Sequence, residues 1–180
     1  VELEIEKANG EVWILEVEKD IDEDLGLVFD QATFDGVKQC YNKCIFCFVD
    51  QMPPNLRDSL YVKDDDYRYS FLFGNFITLT NIKEADLQKI VDWKLSPLYV
   101  SVHTTNSQLR CQMLGNRHAG KILEQLTFLV KNNIQIHAQI VLVPGVNDGK
   151  ELEKTIEDLA KLAPGILSVA VVPVGLTANR

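Results

Sequence analysis

The chain is short of positive charge, with 18 lysine and arginine residues against 26 aspartate and glutamate residues and a formal net charge of −8. Nucleic-acid-binding domains use lysine and arginine to neutralise phosphates, so we do not expect this segment to bind DNA or RNA directly. Long apolar runs are also missing, since none reaches the roughly 20 residues of a membrane span, and no N-terminal segment has the pattern of a signal peptide. We therefore expect a cytoplasmic protein that has no membrane partner.

Cysteine is scarce as well, and its few positions are uneven. Of four cysteines, Cys40, Cys44 and Cys47 fall within eight residues, and Cys111 lies far away in a predicted helix at Leu109–Met113. A disulfide framework needs dispersed, paired cysteines in a secreted chain, which this distribution does not offer. The cluster instead indicates a metal site in a reducing compartment, and Cys111 is expected to be a small core or surface residue.

The first 20 residues predict a β-hairpin. Asn9-Gly10 is a strong signal for a two-residue type I′ turn, because both residues tolerate positive φ. A two-residue loop at this position sets a register in which Ile5 lies opposite Ile14.

From Gly26 onward, short apolar runs alternate with amphipathic helical patterns. Five strands are predicted, at Leu27–Phe29, Phe76–Thr80, Leu98–His103, Ile134–Val143 and Ile166–Val172. Three helices are predicted between them: one after an Asn81–Glu84 capping box, one carrying Ile122 to Val130, and one after an Asp148–Glu151 capping box. Such alternation indicates βαβ units and a parallel sheet. Five strands do not close a barrel of eight, so we predict an α/β fold, an open partial (β/α) barrel with parallel strands preceded by a short β-hairpin. A flat doubly wound sheet is the alternative.

The three clustered cysteines form a C-x3-C-x2-C motif at Cys40, Cys44 and Cys47. Thiolates are the usual ligands of iron–sulfur clusters, and three of them leave one iron of a 4Fe–4S cube open to a non-protein ligand. Structural zinc with a histidine as fourth ligand is one alternative, although the three histidines are far away in sequence. A ferredoxin-like electron carrier is another, although it needs a fourth cysteine near the others.

This motif, with Phe46 directly before its last cysteine, resembles the signature of the radical S-adenosylmethionine (radical SAM) superfamily. The resemblance implies a 4Fe–4S cluster on Cys40, Cys44 and Cys47, in a loop after the first strand of a partial barrel. It implies an enzyme that binds S-adenosylmethionine at the open iron and cleaves it reductively, giving a 5′-deoxyadenosyl radical that abstracts hydrogen from an unidentified substrate. A reductant such as flavodoxin or ferredoxin is implied as a partner. The alternative function is a non-catalytic iron–sulfur or zinc-binding interaction protein.

The likeness narrows over residues 26–177 to one bacterial group, which has a PDZ-like domain before the radical SAM core and a domain of unknown function after it. It is carried by the segments Cys40–Gln51, Leu56-Arg57, Asp64–Arg68, Ser70–Asn75 and Thr78–Asn81. The resemblance implies that residues 1–25 are a hairpin and linker at the tail of the PDZ-like domain. It implies that residues 26–180 are the radical SAM core, with the trailing domain absent from this chain.

Strand alternation collects polar side chains on one face of the predicted sheet. These residues are Thr78, Thr80, Ser101, His103, His137 and Gln139, and the apolar alternates Ile77, Val100 and Ile140 are expected to pack on the helices. A barrel lined in this way holds a ligand, although each histidine alone could equally have a structural role.

The radical SAM resemblance gives this polar face its ligand, S-adenosylmethionine. It implies the ribose and methionine carboxylate near Ser101 and His103, and the adenine near Phe46, the strand of Gln139 and Val143. Many members hold the methionine amino group with a Gly-Gly-Glu sequence. Here Thr80 and Asn81 stand at that place and offer uncharged oxygens.

Two sets of charged residues have simpler interpretations. Asp64-Asp65-Asp66 could suggest a metal, but a solvated acidic turn before a helix is favoured, because acidic side chains suit a helix N-terminus. Single arginines are usually at the surface, and we expect this position for Arg57, Arg68 and Arg110. The alternative is that they hold an anionic substrate or the methionine carboxylate.

Overall fold

The chain divides into two units, residues 1–36 and 37–180, and the computed structural model describes residues 1–29, 32–33 and 35–177. The predicted domain boundary at 25/26 therefore falls inside the first unit. Origin of the first unit in a PDZ-like domain stays a prediction. Among the described residues, no helix combines the length and the apolar character that crossing a membrane requires.

The first unit contains an antiparallel hairpin of β1 (Glu2–Glu6) and β2 (Val12–Glu16). The hairpin itself is as predicted, but its register is not. Ile5 lies opposite Trp13, so the predicted pairing with Ile14 is wrong by one residue.

The register follows from the length of the hairpin loop. The Gly10 N–H donates to the Lys7 carbonyl over 2.8 Å, and the Lys7 N–H donates to the Glu11 carbonyl over 2.8 Å. Three residues therefore form the loop, and the last of them, Gly10, has φ +81°. A turn that ends in one left-handed residue is the usual three-residue hairpin connection, whereas the sequence pair alone suggested two residues.

The predicted strand at Leu27–Phe29 does not form. All three side chains are exposed, and no strand is present among these residues. No sheet is present at residues 27–29 for these three apolar side chains to pack on. The cysteine loop, residues 40–47, therefore does not follow a first strand at Leu27–Phe29 as the sequence suggested.

The second unit is a mixed α/β structure built on a three-stranded parallel sheet in the order β3-β4-β5. The strands are β3 (Leu98–Ser101), β4 (Ile136–Leu142) and β5 (Ile166–Pro173), each close to its predicted position. β3 ends two residues before the predicted His103, which has φ +65° and so leaves the extended conformation. No closed barrel is present in the described part of the chain.

The predicted strand at Phe76–Thr80 is reduced to a single parallel bridge, from Ile77 to β3. The pairing ends after that bridge because Leu79, whose N–H would be the next to face β3, has φ +60° and leaves the extended conformation. On the side away from β3, the Thr78 N–H donates to the Asp65 carboxylate. The segment still runs beside β3, so its side chains keep the alternation that the sequence predicted.

The described part of the second unit also contains five α-helices. They are α1 (Tyr67–Phe73), α2 (Glu84–Asp92), α3 (Ser107–Leu114), α4 (Ile122–Lys131) and α5 (Lys150–Ala160), with short 3-10 helices at Asp58–Tyr61 and Ala119–Lys121. The start of α2 differs from the prediction, because its N-cap is Lys83 rather than Asn81. α5 begins after Gly149, since the Asp148 carboxylate accepts the Gly145 N–H and so belongs to the preceding turn.

The core lies between the sheet and residues of α1, α2, α4 and α5, whereas α3 packs in a separate cluster with Cys44. The core contains the strand residues Ile77, Val100 and Ile140, and they pack with helix residues such as Ile90 and Leu126. The predicted apolar alternates are therefore buried as expected. On the opposite side of the same segments, Thr78, Ser101, His103 and Gln139 line one cavity together with the three motif cysteines.

Candidate functional site

One cavity of about 510 Å³ joins the cysteine loop to the polar strand faces. Its lining includes Cys40, Cys44, Phe46, Cys47, Lys63, Thr78, Ser101, His103 and Gln139. The volume lies in the range of small-molecule sites. Residues from three separate parts of the chain thus meet where β3 ends, as the alternation predicted.

The cysteine loop is fastened to its surroundings by backbone hydrogen bonds. Lys43 and Ile45 donate their N–H groups to carbonyls of Leu114 and Met113, over 2.9 Å each, at the end of α3. At the other end of the loop, the Cys40 N–H donates to a carbonyl over 2.8 Å, that of Lys63. These bonds fix the path of the loop without using any cysteine side chain.

The three thiols are free, line the same cavity and interact electrostatically with one another. Burial, and then the neighbouring Cys40 and Cys47, raise the pKa of Cys44 to about 12, while burial also raises the pKa of Cys40. Three free thiols in one cavity match the donor set that a three-cysteine iron–sulfur cluster requires. Among the described residues, no three His, Cys, Asp or Glu side chains are arranged to hold a single metal ion.

Asn42, inside the cysteine motif, ties the loop to the segment at residues 76–80. Its side chain is buried, and its Nδ2 donates to Thr78 Oγ1 over 2.9 Å. Its Oδ1 accepts hydrogen bonds from Thr80 Oγ1 over 3.0 Å and from Asn116 Nδ2 over 2.7 Å. Thr80 is therefore engaged in holding the loop, and it is not among the residues that line the cavity.

The acidic turn at residues 64–66 is not solvated as predicted, because Asp65 and Asp66 are buried. The Asp65 carboxylate accepts the Thr78 N–H over 2.5 Å and the Thr78 hydroxyl over 2.6 Å. Burial nevertheless raises the pKa of Asp65. Asp66 accepts the Arg68 N–H and caps α1, so the predicted helix start is correct.

His103 presents a neutral ring to the cavity. It is 3% exposed, its Nδ1 accepts the Val141 N–H over 3.1 Å, and its ring centroid is 4.4 Å from that of Phe46. Burial, with a smaller effect of Arg110, lowers the pKa of His103 to about 3. Because Nδ1 accepts a hydrogen bond, the ring carries its proton at Nε2 and is a hydrogen-bond donor there.

The other predicted site residues lie at varying distances from this cavity. Ser101 and Gln139 line it. Val143 does not, but it packs in the same apolar cluster as Cys44. Asn81 lies outside the lining; its Nδ2 donates to the Gln39 carbonyl, and its Oδ1 is buried with no hydrogen-bond partner in the described part of the chain.

His137 also lies outside the lining of the cavity. Its ring stacks on Tyr99 with centroids 4.9 Å apart, and its Nδ1 lies 2.7 Å from Ser168 Oγ. These contacts continue the polar face across β3, β4 and β5 but leave His137 away from the cysteines.

The charged residues of the site were partly missed by the sequence interpretation. Lys63 lines the cavity, and its Nζ donates to Asp50 over 3.0 Å and to the Asn42 carbonyl over 3.2 Å. A single lysine outside the motif gives no sequence signal that it will line the site. For Asn42 the sequence did offer a signal, because this residue lies within the cysteine motif.

The three predicted arginines have different environments. Arg57 is exposed, and Arg68 forms an ion pair with Asp66 at 2.7 Å. Arg110 is completely buried and bonds to backbone carbonyls, so the expectation of a surface position is wrong for it.

Gly115, the C-cap of α3, sets how closely the cysteine loop can approach. It has φ +58°, and a Cβ added there would lie 2.8 Å from the Lys43 carbonyl oxygen. Gly115→Ala is therefore expected to destabilise the fold by about 1–2 kcal/mol through backbone strain and about 1–3 kcal/mol more through the clash. Denaturant unfolding measures this loss, and iron uptake should fall because the loop is displaced.

Gly74 supplies the matched control. It is also a left-handed helix C-cap, with φ +75°, but an added Cβ would only touch the Tyr99 ring at 3.5 Å. Gly74→Ala should show the strain alone and leave iron uptake unchanged. Equal effects of the two substitutions would mean that the contact with Lys43 does not control the loop.

Comparison with known proteins adds one match. A family model described as a radical SAM-like domain matches residues 19–169. A search of curated proteins found no match. The matched range includes the cysteine loop and all the strand segments that line the cavity.

Proposed function

The chain belongs to the family of radical SAM-like domains, and we propose on this basis that it is a radical SAM enzyme. The observation that carries the proposal is the shared cavity of the three thiols and the polar strand faces. Cys40, Cys44 and Cys47 would hold a 4Fe–4S cluster, with one iron left for S-adenosylmethionine. When bound, the cluster supplies the electron that cleaves S-adenosylmethionine to a 5′-deoxyadenosyl radical, which abstracts hydrogen from a substrate.

The side chains around the cavity have proposed roles in holding S-adenosylmethionine. His103 would donate from Nε2 to the ribose or the methionine carboxylate, with Ser101 as a second polar contact. Phe46, which packs on His103, would cover the adenine together with Gln139 and Val143. A neutral donor suits this task, because its strength does not change across the neutral pH range.

Thr80 and Asn81 would serve the methionine amino group in the proposed site. In the described structure neither lines the cavity, and Asn81 Oδ1 has no hydrogen-bond partner among the described residues. A buried acceptor without a partner is costly, so an ammonium group of the ligand is the partner that we propose for it.

The wider setting is also a proposal. Clustered thiols favour a reducing compartment, so we propose a cytoplasmic enzyme that receives electrons from flavodoxin or ferredoxin. The second unit would be the partial barrel of a radical SAM core, with the three-stranded parallel sheet as its described portion. The hairpin at residues 1–25 would be the tail of a PDZ-like domain, as in the bacterial group that the sequence resembles.

Electron paramagnetic resonance (EPR) tests whether one iron is open to this ligand. After anaerobic reconstitution with iron and sulfide and reduction by dithionite, adding S-adenosylmethionine should change the EPR spectrum of the reduced cluster. The reason is that the ligand changes the coordination of one iron. A cluster whose spectrum ignores S-adenosylmethionine would indicate the non-catalytic iron–sulfur protein, and a chain that takes up zinc but no iron would indicate the zinc protein.

A further inference from the structure

Arg110 on α3 is a buried cation next to the cysteine loop. Its side chain is 0% exposed, and arginine is almost never buried to this extent without a paired anion. Its guanidinium donates four hydrogen bonds to backbone carbonyl oxygens instead: Nε to Val102 (2.8 Å), Nη1 to Ala119 (2.5 Å), and Nη2 to Thr78 (2.9 Å) and Ser101 (2.9 Å). No carboxylate in the described part of the chain bonds directly to this guanidinium.

These carbonyls belong to the segments that line the cavity. Thr78 is held from both sides, because its N–H and hydroxyl bond to the Asp65 carboxylate while its carbonyl accepts from Arg110. The Thr78 hydroxyl also accepts from Asn42 of the cysteine motif over 2.9 Å. Arg110 thus reaches the cysteine loop through one intermediate residue.

The charge of Arg110 also interacts with the motif cysteine Cys44. Cys44 and Asp65 interact electrostatically with Arg110, and burial of the guanidinium lowers the pKa of Arg110 only to about 10, so the side chain stays protonated at neutral pH. An iron–sulfur cluster with three thiolates is anionic and becomes more so on reduction. Net charge near a cluster is one of the factors that set its reduction potential, and a buried charge is poorly screened.

We propose that Arg110 is a positioning residue that fixes Thr78 and the cysteine loop, and that its buried positive charge raises the reduction potential of the bound cluster against the opposing charge of Asp65. This inference rests on the proposed function, because it requires the cluster. In this role Arg110 affects how readily the cluster accepts an electron, and it does not itself bind an anionic ligand.

An EPR-monitored redox titration of the reconstituted full chain tests the charge. Arg110→Gln should shift the reduction equilibrium by about tenfold toward the oxidised cluster, which is about 59 mV more negative for a one-electron couple. Arg110→Lys keeps the charge and should shift it less. Arg117→Gln removes an exposed cation from the loop after α3 and should leave the potential unchanged.

Asp65→Asn gives a second route that does not depend on the folding of the Arg110 variants. Asparagine keeps the shape and an acceptor for the Thr78 N–H, but it removes the negative charge, so the potential should become more positive. If the Asp65–Thr78–Arg110 contacts were purely structural, the Arg110→Gln and Asp65→Asn substitutions would not shift the reduction potential in opposite directions.

The outcomes separate the inference from the proposed function. A wild-type chain that forms no 4Fe–4S cluster contradicts the proposed function. A wild-type cluster together with an unshifted Arg110→Gln cluster overturns the inference alone, as does an equal shift in Arg110→Lys or Arg117→Gln. If Arg110→Gln does not fold or does not hold a cluster, Asp65→Asn decides, and an unchanged or more negative potential there overturns the inference.

Discussion

Alanine at any one of Cys40, Cys44 and Cys47 is expected to abolish the 4Fe–4S cluster. Three thiols line the cavity, and a cube that already lacks a fourth protein ligand is not held by two. Iron and sulfide content after anaerobic reconstitution should fall to background in each variant, and the EPR signal of the reduced cluster should be lost.

Cys111→Ala is the matched control for these variants. Cys111 lies on α3, is not among the cavity-lining residues, and its Sγ is 3.5 Å from the Arg117 carbonyl oxygen. Its replacement should leave iron content and the EPR signal at wild-type levels. Loss of the cluster in the Cys111 variant, or its retention in any of the other three, would refute the ligand assignment.

His103→Ala should weaken binding of S-adenosylmethionine without removing the cluster. A hydrogen bond to a charged ligand group contributes on the order of 1.5–3 kcal/mol, so we expect a roughly ten- to hundredfold loss of affinity. Anaerobic titration calorimetry on the reconstituted variant measures it. His103→Asn, which keeps both an acceptor for the Val141 N–H and a donor, should recover part of the affinity.

His118→Ala is the control for a histidine away from the cavity. His118 is exposed and does not line the cavity, and its hydrogen bonds within the described part of the chain go to Arg117 and Asn116 of its own loop. The His118→Ala variant should bind S-adenosylmethionine with wild-type affinity. If the His103→Ala variant with an intact cluster also does so, His103 serves the substrate or the scaffold instead.

What the sequence could predict was mainly what local pattern determines. Alternation along a strand has a period of two whatever its partner, so Ile77, Val100 and Ile140 were correctly assigned to the core and Ser101 and His103 to the cavity. The cysteine motif is local in the same sense. Its three thiols were expected on one loop, and they share one cavity.

The errors arose where tertiary contacts or backbone conformation overrode the pattern. The hairpin register depended on one additional loop residue, Ala8, which the Asn-Gly signal does not specify. The predicted strand at Phe76–Thr80 was cut short because Leu79 has φ +60°, and on the side away from β3 the Thr78 N–H bonds to the Asp65 carboxylate rather than to a strand. A run of three aspartates indicates a solvated turn, and only the folded chain shows that Asp65 is buried against that segment.

Arg110 illustrates the same limit from the opposite direction. Its sequence neighbourhood contains no acidic partner, so a surface position was the reasonable expectation. Its acceptors are carbonyls from residues 78, 101, 102 and 119, which become neighbours only when the β3 region and α3 pack together. Backbone carbonyls carry no sequence signature, and a role that depends on them is visible only in the structure.

Release of 5′-deoxyadenosine tests the central claim most directly. Wild-type chain is reconstituted anaerobically, given S-adenosylmethionine and dithionite, and followed by chromatography beside the Cys44→Ala variant treated in the same way. The radical SAM assignment predicts 5′-deoxyadenosine and methionine from the wild type and neither from the variant. A wild-type chain that carries a reduced 4Fe–4S cluster and releases no 5′-deoxyadenosine would contradict it.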